Sequence, residues 1–149
     1  MEKFYDPILL HHAMSFVGTP YRWGGDDPMA GYDCSGLVVE ILQAHGMLDP
    51  NVDKTAENLY NYFKMDKSIE TRLCSLGALV FYGHSHQRIT HVAFGLDRYR
   101  ILEAGAGGKR IITMGDAIKY NAYVRIRPVS YRSDMVTVLK LRYNSIGEI

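Results

Sequence analysis

The residue types best suited to chemistry in this sequence converge on one cysteine. Cys34 lies in the run Tyr32-Asp33-Cys34-Ser35-Gly36-Leu37-Val38, just after a glycine-rich stretch and where an apolar helical pattern begins. A thiol attacks well only as the thiolate, and its free pKa is about 8.5. A helix N-terminus and a neighbouring imidazole both lower that value. The first device is readable locally. Cys34 falls in a first helical turn, where backbone N–H groups lack intrahelical partners and suit a tetrahedral oxyanion. Gly31 and Gly36 leave room for a substrate to approach the backbone. On these local grounds alone, Cys34 reads equally well as a small thiol packed at a helix start.

The imidazole must come from elsewhere in the chain. Of six histidines, His11 and His12 belong to the first helix, and His45 sits near the C-terminus of the Cys34 helix, where it suits the dipole. His84 and His86 occupy the polar turn Gly83-His84-Ser85-His86-Gln87-Arg88. His91 opens the apolar strand His91-Val92-Ala93-Phe94-Gly95, and a strand holds a general base rigidly. A third group should accept from the far ring nitrogen and stabilise the imidazolium. Glu103, in Ile101-Leu102-Glu103-Ala104-Gly105, is the candidate. In an antiparallel hairpin turning at Asp97-Arg98, residues 91 and 103 lie roughly opposite, with Cβ atoms about 5 Å apart. An exposed strand position is the alternative for Glu103, and its neighbours Leu102 and Ala104 favour a buried, paired one.

The elements that must position these groups follow from pattern and punctuation. Asp6-Pro7 reads as an N-cap and first helical residue, opening a helix to about Phe16 with Ile8, Leu9, His12 and Phe16 near one face. Gly18-Thr19-Pro20 stops it, and residues 21–32 form an ordered glycine- and proline-rich loop. A second helix starts at Cys34, capped by Asp33, with Leu37, Val38, Ile41 and Leu42 as its apolar face and Gly46 as its stop. A third helix spans about Thr55 to Phe63. Strands are expected at 78–82, 90–96, 99–104, 110–113, 123–129 and 135–143, with a short helix at 116–120. Helices first and strands later predict an α+β fold with an antiparallel sheet.

Bulk properties narrow the classes. The 149 residues suit one domain, with 47% hydrophobic and 22% charged residues. A net charge of +1 offers no field for nucleic acid or an anionic membrane. Two cysteines are too few for a disulfide framework, and a 34–74 bridge would consume the nucleophile. Residues 1–10 have no apolar signal core and no stretch has the length of a membrane span, so the chain is expected to stay where it is made unless something delivers it. His84, His86 and His91 with a carboxylate form a conceivable zinc set, but their spacing matches no strong signature. A non-catalytic virion or tail assembly component is a further alternative, against which the intact Cys34 and His91 argue.

The residues also resemble a known family, the NlpC-type peptidoglycan endopeptidases, which are papain-like cysteine peptidases of bacterial and phage cell-wall metabolism. The resemblance spans about residues 9–129, in family order, and fades over 130–149. Gly18-Thr19-Pro20-Tyr21-Arg22-Trp23-Gly24-Gly25 resembles the opening motif and Asp33-Cys34-Ser35-Gly36-Leu37-Val38 the nucleophile motif. Gly77-Ala78-Leu79-Val80-Phe81-Tyr82 looks like the strand before the histidine, with Ala78 where aspartate is usual, and Thr90-His91-Val92-Ala93-Phe94 like the histidine strand. The resemblance implies a papain-like fold, Cys34 as nucleophile, His91 as base, and Tyr21 with its hydroxyl near the oxyanion or thiolate. It implies substrate contacts from Asp33, Ser35 and Trp23, and no cofactor or metal. Glu103 falls at the third polar position, where histidine is more usual. The implied substrate is peptidoglycan or a muropeptide, cut between D-γ-glutamyl and diaminopimelate or lysine, with an amidase on another γ-glutamyl amide as a close variant. The loop Asp26-Asp27-Pro28-Met29-Ala30-Gly31 resembles phage and prophage members, which implies phage tail proteins as partners or a lysis role.

Overall fold

The computed structural model describes residues 2–22, 24–27, 31–52, 54–65, 67–105 and 111–143, with the side chains of 2–5, 26, 27, 31 and 32 left aside. In chain order these form α1 (Glu2–Met14), β1 (Asp26–Asp27), β2 (Gly31–Tyr32), α2 (Cys34–Ala44), α3 (Ala56–Phe63), β3 (Ser68–Thr71), β4 (Leu79–Ser85), β5 (Arg88–Gly95), β6 (Arg100–Ala104), α4 (Met114–Tyr120), β7 (Val124–Pro128) and β8 (Met135–Leu141). A 3-10 turn, Val129–Tyr131, separates the last two strands. Six strands make one sheet in the order β3-β8-β4-β5-β6-β7, every neighbouring pair antiparallel. This is the α+β, papain-like arrangement expected: helices ahead of an antiparallel sheet, with Cys34 opening a helix.

The helices follow their sequence signals closely. Asp33 caps α2, Leu37, Val38, Ile41 and Leu42 are buried, and Gly46 closes the helix at φ +72°. Thr55 caps α3 by accepting the Asn58 N–H at 3.1 Å, and Ala56, Leu59, Tyr60 and Phe63 form its buried stripe. α1 departs from expectation. It begins at Glu2 and contains Pro7, so Asp6 is not its cap. Proline there forgoes one hydrogen bond near the free end, which leaves the preceding turn helical. Leu9 and Ala13 are its buried side chains, Phe16 is buried in the turn that follows it, and Ile8 is 49% exposed.

Two strand expectations change. Residues 111–113 are not a strand, and residue 110 lies outside the described residues. Thr113 instead caps α4: its hydroxyl accepts the Asp116 N–H, and the Asp116 carboxylate accepts the N–H groups of Ile112 and Thr113. Local side-chain capping outcompetes sheet pairing here. Conversely β3, a polar segment without clear alternation, is a strand because β8 offers it a ladder from Ser68↔Leu141 to Thr71↔Val138.

The central strands are buried on both faces. Leu79, Phe81, Val92 and Phe94 pack with Leu37, Ile41, Leu59 and Phe63 of α2 and α3. Val80, Tyr82, Ala93, Ile101 and Val138 form a second cluster with Cys74. Cys34 packs against the first cluster, so the two thiols belong to different cores and both are free. Among the described residues no helix is long and apolar enough to cross a membrane.

Candidate active site

The start of α2 is built by Asp33 and three glycines. Asp33 Oδ1 accepts the Gly36 N–H at 2.7 Å and Oδ2 accepts the Gly24 N–H at 2.9 Å. The Asp33 N–H donates to the Gly25 carbonyl at 3.2 Å, and the Ser35 hydroxyl approaches Asp33 Oδ1 at 3.4 Å. Asp33 therefore ties the loop at residues 24–25 to the helix end that carries Cys34. Gly36 is needed for the same contact: a Cβ there would stand 2.1 Å from the Gly25 carbonyl oxygen. Gly36→Ala gains helix propensity worth about 1 kcal/mol. The forced loop shift outweighs that gain, and a net loss of about 1–3 kcal/mol is expected, read as a lower midpoint in chemical denaturation.

The hydrogen bonds at the helix start also sort its donors. Gly36 N–H is capped by Asp33, and Leu37 N–H bonds the Asp33 carbonyl at 3.1 Å. The N–H groups of Cys34 and Ser35 remain to point off the positive end of the helix.

His91 is 7% exposed and Glu103 1% exposed. His91 Nε2 lies 2.6 Å from Glu103 Oε2. With Nε2 turned to Glu103, Nδ1 is the ring nitrogen left for a thiol, and Cys34 is close enough to raise the His91 pKa. The backbone register differs slightly from expectation. Phe94 pairs with Leu102 and Gly95 with Ile101, so the hairpin centres on residue 98, and continuing that register sets Glu103 opposite Ala93. Glu103 reaches His91 on the diagonal, within range for long side chains. A bulge helps to aim the ring. Tyr82 pairs with His91 and Gly83 with Ile89, so Thr90 is an extra residue on β5 and the side-chain alternation reverses between Ile89 and His91. Ile89 joins the helix-side core, while His91 stands beside the Tyr82 ring, 5.6 Å between centroids.

The electrostatics are those of an alternating charge chain. Burial alone pulls the His91 pKa down, but the neighbouring Cys34 and the hydrogen-bonded Glu103 carboxylate raise it from 6.5 to about 9. Burial likewise pushes the Glu103 carboxyl up, yet His91, Tyr131 and Arg127 together hold it below its ordinary value. Arg127 Nε stands 2.9 Å from Glu103 Oε1 as an ion pair, although its N–H is not aligned on that oxygen as a hydrogen bond. The Tyr131 hydroxyl donates to Glu103 Oε2. This arrangement can pair a thiolate with an imidazolium and hand a proton to a leaving group.

Other expected residues are placed as follows. Tyr21 is 5% exposed within the main core, its N–H bonded to the Ala122 carbonyl at 2.9 Å. Trp23 lies outside the described residues, as do 28–30 of the loop that resembles phage members. His84 is exposed, His86 pairs with Glu70 at 3.0 Å, and His91 faces Glu103, so the three imidazoles go to separate neighbours. Among the described residues no three His, Cys, Asp or Glu side chains gather as a metal site. Sequence reasoning missed Arg127 and Tyr131. The available signal was Glu103 itself, a carboxylate between apolar residues that needs cationic or donor partners once buried.

Fold and site together define a papain-like α+β domain with a cysteine–histidine–carboxylate cluster at a helix N-terminus. The chain belongs to the NlpC/P60 family, whose profile matches residues 18–128. The bifunctional muramidase/DL-endopeptidase CwlT of Bacillus subtilis is 32% identical over 107 residues, covering 70% of this chain and 30% of CwlT. The murein DD-endopeptidase MepH of Escherichia coli is 33% identical over 75 residues, covering 50% of this chain and 27% of MepH. The chain thus spans about a third of the length of these relatives. The peptidoglycan hydrolase RipB of Mycobacterium tuberculosis shares the fold at a TM-score of 0.65 and 22% identity, over 93% of this chain and 65% of RipB.

Proposed function

We propose that this chain is a cysteine endopeptidase that hydrolyses peptidoglycan stem peptides through an acyl-enzyme on Cys34. The observation that carries the reading is the buried His91–Glu103 pair, 2.6 Å apart, whose imidazole also feels Cys34 at the start of α2. The Cys34 thiolate attacks the scissile carbonyl, and the N–H groups of Cys34 and Ser35 stabilise the oxyanion. The Tyr21 hydroxyl is assigned to the same oxyanion. His91 then gives its Nδ1 proton to the leaving amine and takes one from the water that releases the acyl group. Glu103 keeps the ring oriented and its charge compensated. Asp33 acts first by fixing the helix end, and Ser35 and Trp23 are assigned to the substrate groove.

The family and the names of its relatives support a cell-wall substrate, and the assigned bond is D-γ-glutamyl–diaminopimelate or –lysine. Phage tail proteins as partners rest on the loop at 26–31 alone. The test is digestion of purified peptidoglycan with mass spectrometry of the soluble products. Fragments with a new amino terminus at diaminopimelate or lysine support the assigned bond. A different new terminus retains the mechanism and moves the bond. Absence of any fragment sinks the substrate assignment and favours an assembly role or a small γ-glutamyl amide.

A further inference from the structure

We propose that Tyr131, in the turn beyond the family-matched residues, is a positioning residue that holds the Glu103 carboxylate against His91. The inference rests on the cysteine hydrolase reading above and adds a part to the same site.

Among the described residues Glu103 is the one buried carboxylate. Its side chain is 1% exposed, and a carboxylate so placed keeps its charge only if donors surround it. Three groups do so, from three elements. His91 on β5 takes Oε2 at 2.6 Å, Arg127 on β7 stands 2.9 Å from Oε1, and the Tyr131 hydroxyl shares Oε2 with His91. Arg127 alone would draw the carboxylate toward β7, because Glu103 and Arg125 are backbone partners and Arg127 lies on that same strand. Tyr131 is the neutral donor that pins the oxygen facing the imidazole.

Tyr131 is 36% exposed, and its ring is held from two sides. The Arg127 guanidinium lies over its ring at 4.8 Å, and its ring meets Tyr82 edge-on at 6.2 Å. The Tyr82 hydroxyl bonds the Val129 carbonyl at 2.9 Å, which anchors the turn to β4. Arg132, paired with Asp134 at 2.7 Å, covers the Tyr82 ring at 5.2 Å. The turn is thus built around a hydroxyl aimed at a buried carboxylate. The family match ends at residue 128, so Tyr131 lies three residues beyond it. This chain supplies the support for its glutamate from its own C-terminal segment.

The groups whose charge bears on this cluster are Cys34, His91, Tyr82, Arg127, Arg132 and Asp134, besides Glu103 and Tyr131. Losing the Tyr131 donor leaves Glu103 easier to protonate, so a Glu103 titration should enter the acid limb of Cys34 reactivity from below.

The experiment is a double-mutant cycle on the full chain with Tyr131→Phe and Glu103→Gln, read as the rate of Cys34 alkylation by iodoacetamide from pH 5 to 10. Measurements are made below each variant's unfolding transition, followed by circular dichroism. Tyr131→Phe is expected to slow alkylation at pH 6–7 about tenfold and to raise the acid limb, as loss of a donor to a buried charge should. In the Glu103→Gln background the same change is expected to alter the rate less than about twofold, because linked residues are not additive. An unchanged profile in Tyr131→Phe, with or without a lower melting temperature, overturns the proposal. So does an equal effect in both backgrounds. Alkylation needs no peptidoglycan: if native protein digests no cell wall but keeps a His91-dependent profile, the substrate assignment falls while the role of Tyr131 stands.

Discussion

Cys34→Ala is expected to abolish release of soluble fragments from peptidoglycan, lowering kcat/KM by at least about 10⁴-fold. The variant should stay folded. Cys34 is half-buried at the edge of the core, and losing one sulfur there costs little beside the buried apolar face of α2. Cys34→Ser is expected to be nearly as inactive. A serine hydroxyl is far less acidic than a thiol, so it does not supply the anionic nucleophile that a thiolate is. Cys74 cannot substitute. It sits in the second core, and burial, helped by the Asp97 charge, pushes its thiol up to about 11. Peptide mapping after brief alkylation near neutral pH should therefore find label on Cys34 alone. Residual digestion by Cys34→Ala at the native rate would remove the cysteine mechanism.

The second large effect concerns His91. His91→Gln keeps a hydrogen-bonding side chain but no titrating ring, and a loss of about 10³-fold or more in kcat/KM is expected. In the native chain the charged ring is favoured by Cys34 and Glu103, which raise its pKa to about 9. Activity should accordingly fall as pH rises through about 9, where the imidazolium gives up its proton. Glu103→Gln removes a carboxylate that stabilises the charged ring, so this alkaline limb should move to lower pH. The same shift enters stability with a defined sign. The folded pKa lies above the unfolded value of 6.5, so the His91 contribution is complete below about 6.5 and is lost as pH climbs through about 9. An alkaline limb at the same pH in native protein and Glu103→Gln would show that the carboxylate does not act on the ring.

These effects differ in how far they are visible along the chain. Cys34 and its cap are local: Asp33 reaches Gly36 three residues on, so the helix start and its donors follow from four consecutive residues. His91 and Glu103 are twelve residues apart and joined by a tight turn, which made their meeting foreseeable, although the hairpin centres on residue 98 and so moves Glu103 two positions, from opposite His91 to opposite Ala93. The bulge at Thr90 was not foreseeable. It depends on Gly83, where a Cβ would stand 2.2 Å from the Arg88 carbonyl oxygen, a contact that exists only once β4 and β5 are paired. Arg127 and Tyr131 were invisible for the same reason. They approach Glu103 from 24 and 28 residues away, through a strand pairing and a turn that no local pattern announces.

The sequence by itself determined the α+β order, the capped helix that begins at Cys34, and the hairpin that brings His91 and Glu103 together. Each of these rests on contacts within a turn or a hairpin, where spacing dictates geometry. Only the tertiary structure decided which way the His91 ring faces, how Glu103 keeps its charge in a dry interior, and why Gly36 must be glycine. Those depend on strand register, on desolvation and on the approach of a distant backbone. Such quantities arise only when separate segments are brought together.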